Sequence, residues 1–382
     1  MKFHRRRRPL KAKRVLITGG AGFVGSHTAD ALLEAGHEVR IFDNLTSQVH
    51  RPGLFSYIPK GAEFALGDMR NLAQVTKAVQ DIDVIFHLAA AVGVGQSMYQ
   101  IADYTATNNL GTANLFQAMI DTRSRPEKIV AASSMSIYGE GKYLCPDCGE
   151  VAPPPRPLEQ LKQKRWETIC PECGETVVPI PTREDKPLQS TSVYALSKKD
   201  QEEMTLLFGR TYQIPVVALR YFNIYGTRQS LSNPYTGVAA IFASRLMNRK
   251  APMIFEDGQQ MRDFVSVHDI AQANLLAMEK SDADGKALNI GSGEPVTIRE
   301  VATELEHALA VPLPIEITGK YRAGDIRHCF ADISAATQLL GYQPKVRLKQ
   351  GIEELVGWLE SQQADDNVDD AMERLHDHGL VA

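Results

Sequence analysis

Three glycines recur at three-residue spacing directly after an apolar, β-branched run. Residues 14–27 read R-V-L-I-T-G-G-A-G-F-V-G-S-H, with Val15–Thr18 as the run and Gly19, Gly22 and Gly25 behind it. A strand is expected first, then a tight turn at Gly19. At Gly22 the backbone can come close to a pyrophosphate, and at Gly25 the following helix can pack closely on the sheet. The helix N-terminus would then face phosphate oxygens with its free N–H groups. A second strand over Glu38–Phe42 ends at Asp43. An acid there suits the two hydroxyls of an adenosine ribose and repels a 2′-phosphate, which favours NAD over NADP.

The rest of the first half repeats this unit. Strands are expected at Phe64–Leu66, Val84–Leu88 and Ile129–Ala132, and helices at Leu72–Val79 and Tyr104–Met119. Arg51–Pro59 reads as a loop or short helix. Repeated βα units predict an α/β fold with a doubly wound parallel sheet. A sixth strand over Val216–Leu219 follows a predicted helix at Tyr194–Tyr212. Beyond residue 224 the pattern is mixed, with a hairpin or strand pair over Phe255–Val267 and helices near 241–247, 268–278, 298–310, 334–340 and 350–361. Short strands are expected near Ala287–Ile290 and Ile315. A smaller lobe over the sheet's C-terminal edge is expected there. The boundaries are a basic tail at 1–13, a dinucleotide domain at 14–223 interrupted by an insertion at 140–182, a substrate lobe at 224–362 with segments returning to the core, and an acidic tail at 363–382.

The tails set themselves apart by charge. Residues 2–14 hold eight Arg or Lys and no acid, and residues 365–377 hold six acids and one Arg. Both are expected to be solvated, the second with marginal helix. The formal net charge of −4 over 382 residues gives no reason to expect nucleic-acid binding. No run of eighteen apolar residues predicts a membrane span, and the N-terminus lacks the apolar stretch of a secretory signal, so a cytoplasmic setting is expected.

Tyr194 and Lys198 stand four apart on a predicted helix and therefore share a face. A neighbouring ammonium favours phenolate, so Tyr194 is expected to have a lowered pKa. Ser134, at the end of the fifth strand, can hydrogen-bond the same substrate hydroxyl. The three could remove a proton from a secondary alcohol while a hydride leaves for a nicotinamide.

With these residues in hand, the chain over about 14–360, the cysteine segment excepted, resembles the extended short-chain dehydrogenase/reductase family of nucleotide-sugar epimerases and dehydratases. The motifs that carry the resemblance are G-G-A-G-F-V-G-S-H, Asp43-Asn44, Asp68, Asn108 with Gly111-Thr112, S-S-M-S-I-Y-G, Y-A-L-S-K, R-Y-F-N-I-Y-G and R-D-F-V-S-V-H-D. The resemblance implies a catalytic triad of Ser134, Tyr194 and Lys198. It implies NAD contacts from Gly19, Gly22, Phe23, Val24, Asp43, Asn44, Asp68, Met69, Leu88, Ala89, Ala90, Asn108, Tyr194 and Lys198. For the substrate it implies Gly93, Val94, Ser134, Met135, Ser136, Tyr194 and Asn223, with Arg262 and Arg322 on phosphate and Asp325 on the nucleotide ribose.

The reaction follows by elimination within that resemblance. The dehydratases carry Asp-Glu after the catalytic hydroxyl residue, and Met135-Ser136 stands here instead. The uronate decarboxylases usually have Glu where Ser136 is. What remains is C4 oxidation, ketone rotation and hydride return, a 4-epimerase. The stretches D-N-L-T-S-Q-V-H, G-V-G-Q-S-M-Y and Y-R-A-G-D-I-R-H-C-F-A-D resemble most the dTDP-L-rhamnose 4-epimerases, which make dTDP-6-deoxy-L-talose. The small apolar wall of Gly93, Val94 and Gly95 suits a C5 methyl group. UDP-glucose/galactose and UDP-uronate 4-epimerases and an NAD(P)-dependent nucleotide-sugar reductase are the alternatives. A protein that only binds NAD is disfavoured by the presence of both Tyr194 and Lys198.

Sixty residues separate Ser134 from Tyr194, and the excess length holds C-P-D-C-G and C-P-E-C-G. Cys145, Cys148, Cys170 and Cys173, with 21 residues between the pairs, suit tetrahedral thiolate zinc in a ribbon-like lobe. Four thiolates fill the shell, so the expected zinc is structural. Cys329 stands apart as a small buried hydrophobe. By the resemblance, predicted helices at 102–120 and 194–212 would pair with their copies in a homodimer.

Overall fold

The structure is a computed structural model that describes residues 12–50, 57–311, 313–322 and 324–381. Residues 1–11 of the basic tail and residues 51–56 of the expected 51–59 loop lie outside them.

Seven parallel strands form the central sheet: β1 (Arg14–Thr18), β2 (Glu38–Asp43), β3 (Glu63–Leu66), β4 (Val84–His87), β5 (Lys128–Ser134), β6 (Val216–Tyr221) and β7 (Lys286–Ile290). Their order is β7-β6-β5-β4-β1-β2-β3. The order reverses at β1, which pairs Val15 with both Val39 and Val84. Ligands bind such sheets at the carboxyl ends of the strands beside this switch.

Every residue of β4, β5 and β6 is buried, because helices cover both faces. Alternation divides each strand between two cores. Val15, Ile17, Phe86, Val130 and Leu219 pack with the helices Phe23–Glu34 and Val267–Glu279. Leu16, Ile85, Ile129 and Val216 pack with Leu72–Ala78, Gly111–Thr122 and Val193–Tyr212. One fully buried aliphatic side chain in either core stabilises the fold by about 1.5–3 kcal/mol.

Residues beyond 222 build a third core from Tyr225, Phe242, Leu246, Phe264, Leu305 and Leu355. Val267–Glu279 and β7 cross back to the first. The expected hairpin over Phe255–Val267 is corrected: a turn at Asp257-Gly258 precedes one strand, Met261–Ser266. That strand pairs in parallel with Asn223–Tyr225 and His328–Cys329 and antiparallel with Pro295–Thr297. The expected helix over Tyr104–Met119 also changes. A π-helical segment, Thr105–Leu110, interrupts it between Ile101–Tyr104 and Gly111–Thr122.

The acidic segment is not a solvated tail. Val368–Asp377 is a docked helix with Val368, Ala371 and Leu375 buried at i, i+3 and i+7. Arg245 and Lys250 meet Asp369 at 2.8 Å each, so the acids face basic partners. His378 stacks on Tyr99 with centroids 4.7 Å apart, and Val381 bridges to Arg322. No described helix is long and apolar enough to cross a membrane.

Candidate active site and the cysteine lobe

The glycine turn connects β1 to the helix Phe23–Glu34. Gly25 sits against the turn itself: a Cβ there would stand 2.3 Å from the Gly19 carbonyl oxygen. The helix N-terminus at Gly22 has no side-chain cap, which leaves the first N–H groups available to an anion. Ala21, Gly22 and Phe23 line a cavity of about 630 Å³ that runs past Gln48 and Tyr235 to Arg374 on the C-terminal helix. Asp43, at the end of β2, accepts from Ala21 N at 3.1 Å and Leu45 N at 2.8 Å. It therefore anchors the turn and keeps further lone pairs for a ligand. An open turn, an uncapped helix end and a buried acid beside them fit a dinucleotide.

The other expected cofactor residues divide. Leu88, Ala89 and Ala90 continue from β4 along the sheet's carboxyl edge. Asp68 is held by Arg70 at 2.7 Å and Asn44 at 3.1 Å. The Arg70 hydrogen bond, ahead of all other influences, keeps its carboxyl down at about 2. Met69 is buried, its carbonyl accepting from Asn114. Asn108 is fully buried and spends its amide on protein: Nδ2 donates to Ala91 O and Ser197 Oγ, and Oδ1 accepts from Ala91 N at 2.8 Å. Asn108 thus holds the chain after β4 in place. His87 cooperates from below. It lies between Thr18 Oγ1 at 2.8 Å and Thr112 Oγ1 at 2.9 Å, and burial takes its pKa down to about 3. No sequence motif pointed to it.

Ser134 ends β5, and Tyr194 and Lys198 lie in the first turns of Val193–Tyr212, whose N-cap Ser192 accepts from Ala195 N. The Ser134 side chain stands near enough to the Tyr194 phenol to pull its pKa down. Ser136 donates to Ser134 Oγ from both its N–H and its hydroxyl, at 3.2 and 2.9 Å. Burial raises the Tyr194 phenol above its ordinary pKa, opposed by the Ser134 side chain. The expected lowering is therefore reversed, since removal from water disfavours phenolate. Lys198 hydrogen-bonds Gln201, and burial lowers its ammonium to about 7, with Glu202 acting the other way.

Gly93 has φ 144°, and a Cβ there would meet the Tyr104 hydroxyl at 2.8 Å and Tyr235 Cβ at 2.9 Å. Val94 begins a short helical turn, and Met135 is buried beside Ser134. The buried Oδ1 of Asn223 has no hydrogen-bond partner among the described residues, as expected of a group kept for a ligand. Arg322 stacks over Phe255 at 4.9 Å and pairs with Asp325 at 2.9 Å. Arg262 instead donates to the Ile326 and Arg327 carbonyls, at 2.7 and 2.9 Å. Its guanidinium buttresses the Asp325 segment.

The insertion carries its own three-stranded antiparallel sheet, with Lys142–Cys145 between Gly149–Val151 and Val178–Ile180. One ligand atom from each of Cys145, Cys148, Cys170 and Cys173 lies within 4.8 Å of the others. All four are free thiols, with Cys145 and Cys173 sulfurs 3.5 Å apart. Zn–S bonds of about 2.3 Å in a tetrahedron put sulfurs ~3.8 Å apart, so the donor set fits zinc.

Comparison with known proteins places this geometry among relatives. The NAD dependent epimerase/dehydratase family matches residues 15–160 and 168–291. A dTDP-L-rhamnose 4-epimerase of Burkholderia thailandensis is 31% identical over 350 residues, spanning 91% of this chain and 95% of the relative. A putative UDP-glucose 4-epimerase of Methanocaldococcus jannaschii is 33% identical, spanning 91% and 98%. Among solved structures, UDP-glucuronic acid 4-epimerase from Bacillus cereus with UDP-glucuronic acid and NAD superposes with a TM-score of 0.74 at 26% identity, covering 91% and 99% of the two chains.

Proposed function

The chain belongs to the NAD dependent epimerase/dehydratase family, and from that premise we propose that it inverts C4 of a nucleotide-linked hexose, with dTDP-L-rhamnose and dTDP-6-deoxy-L-talose as the pair interconverted. The approach of Ser134, at the end of β5, to the Tyr194 phenol, with Lys198 one turn along the same helix, carries the reading. NAD, when bound, supplies the acceptor and donor of the C4 hydride. Gly22, Phe23, Val24 and Asp43 would hold it.

The chain's residues handle the proton. Tyr194 takes it from the C4 hydroxyl as that carbon is oxidised and returns it when the ketone is reduced from its other face. Ser134 donates its hydroxyl hydrogen to the same oxygen, because the two donations from Ser136 occupy its lone pairs. Lys198, in its protonated form, favours phenolate more in this water-poor site than it would in water. Ketone rotation needs a fixed nucleotide end, supplied by Asn223, Arg322 and Asp325. Met135 and Ser136 offer no second acid or base, which supports epimerisation over elimination. For the sugar, the wall of Gly93–Gly95 supports a C5 methyl. We also infer structural zinc on the four cysteines, and a homodimer through 102–120 and 194–212. Exposed Leu196 and Leu207, eleven residues apart, support the latter as one apolar stripe on the second helix.

The test is a panel of dTDP- and UDP-sugars incubated without added NAD, with sugar analysis of the products. A C4-inverted deoxyhexose with no net redox change is expected. A strict requirement for stoichiometric reduced cofactor would replace the epimerase with a reductase, and turnover of a UDP-sugar alone would replace the substrate.

A further inference from the structure

Both stems of the cysteine insertion return to one segment of the substrate lobe. Gly141 N donates to His328 O and Thr182 N to Phe330 O, each at 2.8 Å. Between the stems, the insertion sends Arg156 and Glu167 into the same segment. Arg156, 7% exposed, forks onto Glu256 at 2.8 and 3.0 Å and donates to the Asp325 carbonyl at 3.1 Å. Arg327, 1% exposed, binds Glu256 at 3.0 Å, Asp257 at 2.7 Å and Glu167. Glu140, at the entry stem, receives the backbone N–H groups of Arg327 and His328. Trp166 lies against Tyr321 with ring centroids 6.4 Å apart.

Two buried guanidiniums thus face two buried carboxylates, Glu140 and Glu256, with Glu167 and Asp257 at the solvent edge. Such an arrangement adds little net stability over apolar packing of equal volume, because each charge loses its hydration. Its directional hydrogen bonds instead fix a position. The backbone fixed here belongs to the residues beside Arg322 and Asp325, and Arg262 clamps it from the other side.

We propose that the inserted lobe is part of the nucleotide site, with Arg156 and Glu167 as positioning residues that hold Asp325 and Arg327 in place and so set affinity for the nucleoside diphosphate end. This rests on the reading of Arg322 and Asp325 as nucleotide ligands. Neither residue reaches Ser134 or Tyr194, so binding changes and chemistry does not.

The test compares Glu167→Ala, Arg156→Met and Arg156→Lys holoenzymes with the unaltered holoenzyme. Calorimetric titration with dTDP and with UDP gives Kd, and steady-state kinetics on the active nucleotide sugar gives KM and kcat. Glu167→Ala is expected to raise Kd and KM together by ~5–20-fold with kcat within about twofold, a split that a general loss of folding would not produce. Arg156→Met is expected to do more, and Arg156→Lys to recover part by restoring charge without the fork. Glu167 is half exposed, so its variant decides the matter if Arg156→Met does not fold. Unchanged Kd in Glu167→Ala, or a loss confined to kcat, overturns the proposal. If no nucleotide sugar is turned over, the epimerase reading falls, and the Kd comparison still decides this one.

Discussion

Arg220 forks onto Glu202 inside the protein, with Nη2 to Oε1 at 2.6 Å and Nε to Oε2 at 3.0 Å. Glu202 stands one helical turn beyond Lys198 and also accepts from Ser133 at 2.6 Å, the residue before Ser134. One carboxylate therefore fixes the strand that carries the serine against the helix that carries the tyrosine and lysine. Glu202→Ala should cost about 3–5 kcal/mol in denaturant unfolding, since it strands a buried guanidinium. Its kcat should fall with the loosened geometry, and a stability equal to the unaltered protein's would contradict this account.

Tyr194→Phe removes the proton carrier and keeps the ring edge-on to Tyr104. Its kcat should fall by about 10²–10⁴-fold, with NAD content and melting temperature unchanged. Sugar inversion at the normal rate would remove the phenol from the mechanism.

Lys198 carries a stability penalty with a defined pH dependence. Its pKa drops from 10.5 unfolded to about 7 when folded, through burial. Below pH 7 both states are protonated and the penalty is complete. Between pH 7 and 10.5 the unfolded state binds more protons, so stability rises with pH. Lys198→Met should therefore be more stable than the unaltered NAD-free protein at pH 6–7, by about 1–2 kcal/mol, and the gap should narrow toward pH 10. A constant gap across that range would show that Lys198 does not titrate there.

Leu375 packs over Gly95, with its Cδ2 3.1 Å from where a Gly95 Cβ would be. Leu375→Asp should release the helix Val368–Asp377 from its site and make residues 364–381 cleavable by a protease under native conditions. Cleavage resistance equal to that of the unaltered protein would show that the other contacts suffice.

Cys145→Ser should lower protein-bound zinc by at least half, measured by atomic emission on protein prepared without chelator. Unchanged zinc content would remove the metal from the four-cysteine site.

The inner strands of the sheet, β4, β5 and β6 above all, were legible because helices bury both their faces, which leaves short continuous apolar runs between polar turns. The glycine turn and the Tyr194–Lys198 spacing were legible because their geometry is local. Other features depend on distant partners. Six acids concealed the helix Val368–Asp377, since its inward residues number only three and Arg245 and Lys250, its basic partners, lie over a hundred positions away. The protein partners of Asn108 were not foreseeable, since Ala91 is seventeen residues back and offers only backbone, and Ser197 is eighty-nine residues on. The Ile326 and Arg327 carbonyls that Arg262 meets were equally hidden, since they lie 64 and 65 positions away. The phenol's raised pKa follows from depth, which a four-residue spacing does not encode.

The stems at Gly141 and Thr182 leave and rejoin the enzyme through one doorway, so the excursion between them is a cassette in the topological sense. Its removal would let Ser134 and Tyr194 be joined by a short link without rethreading any strand. Energetically it is no longer detachable: without Arg156 and Glu167, Glu256 loses one of its two cations and Arg327 one of its anions. A lineage that acquired such a cassette and then wired its charges into the host could not readily give it up.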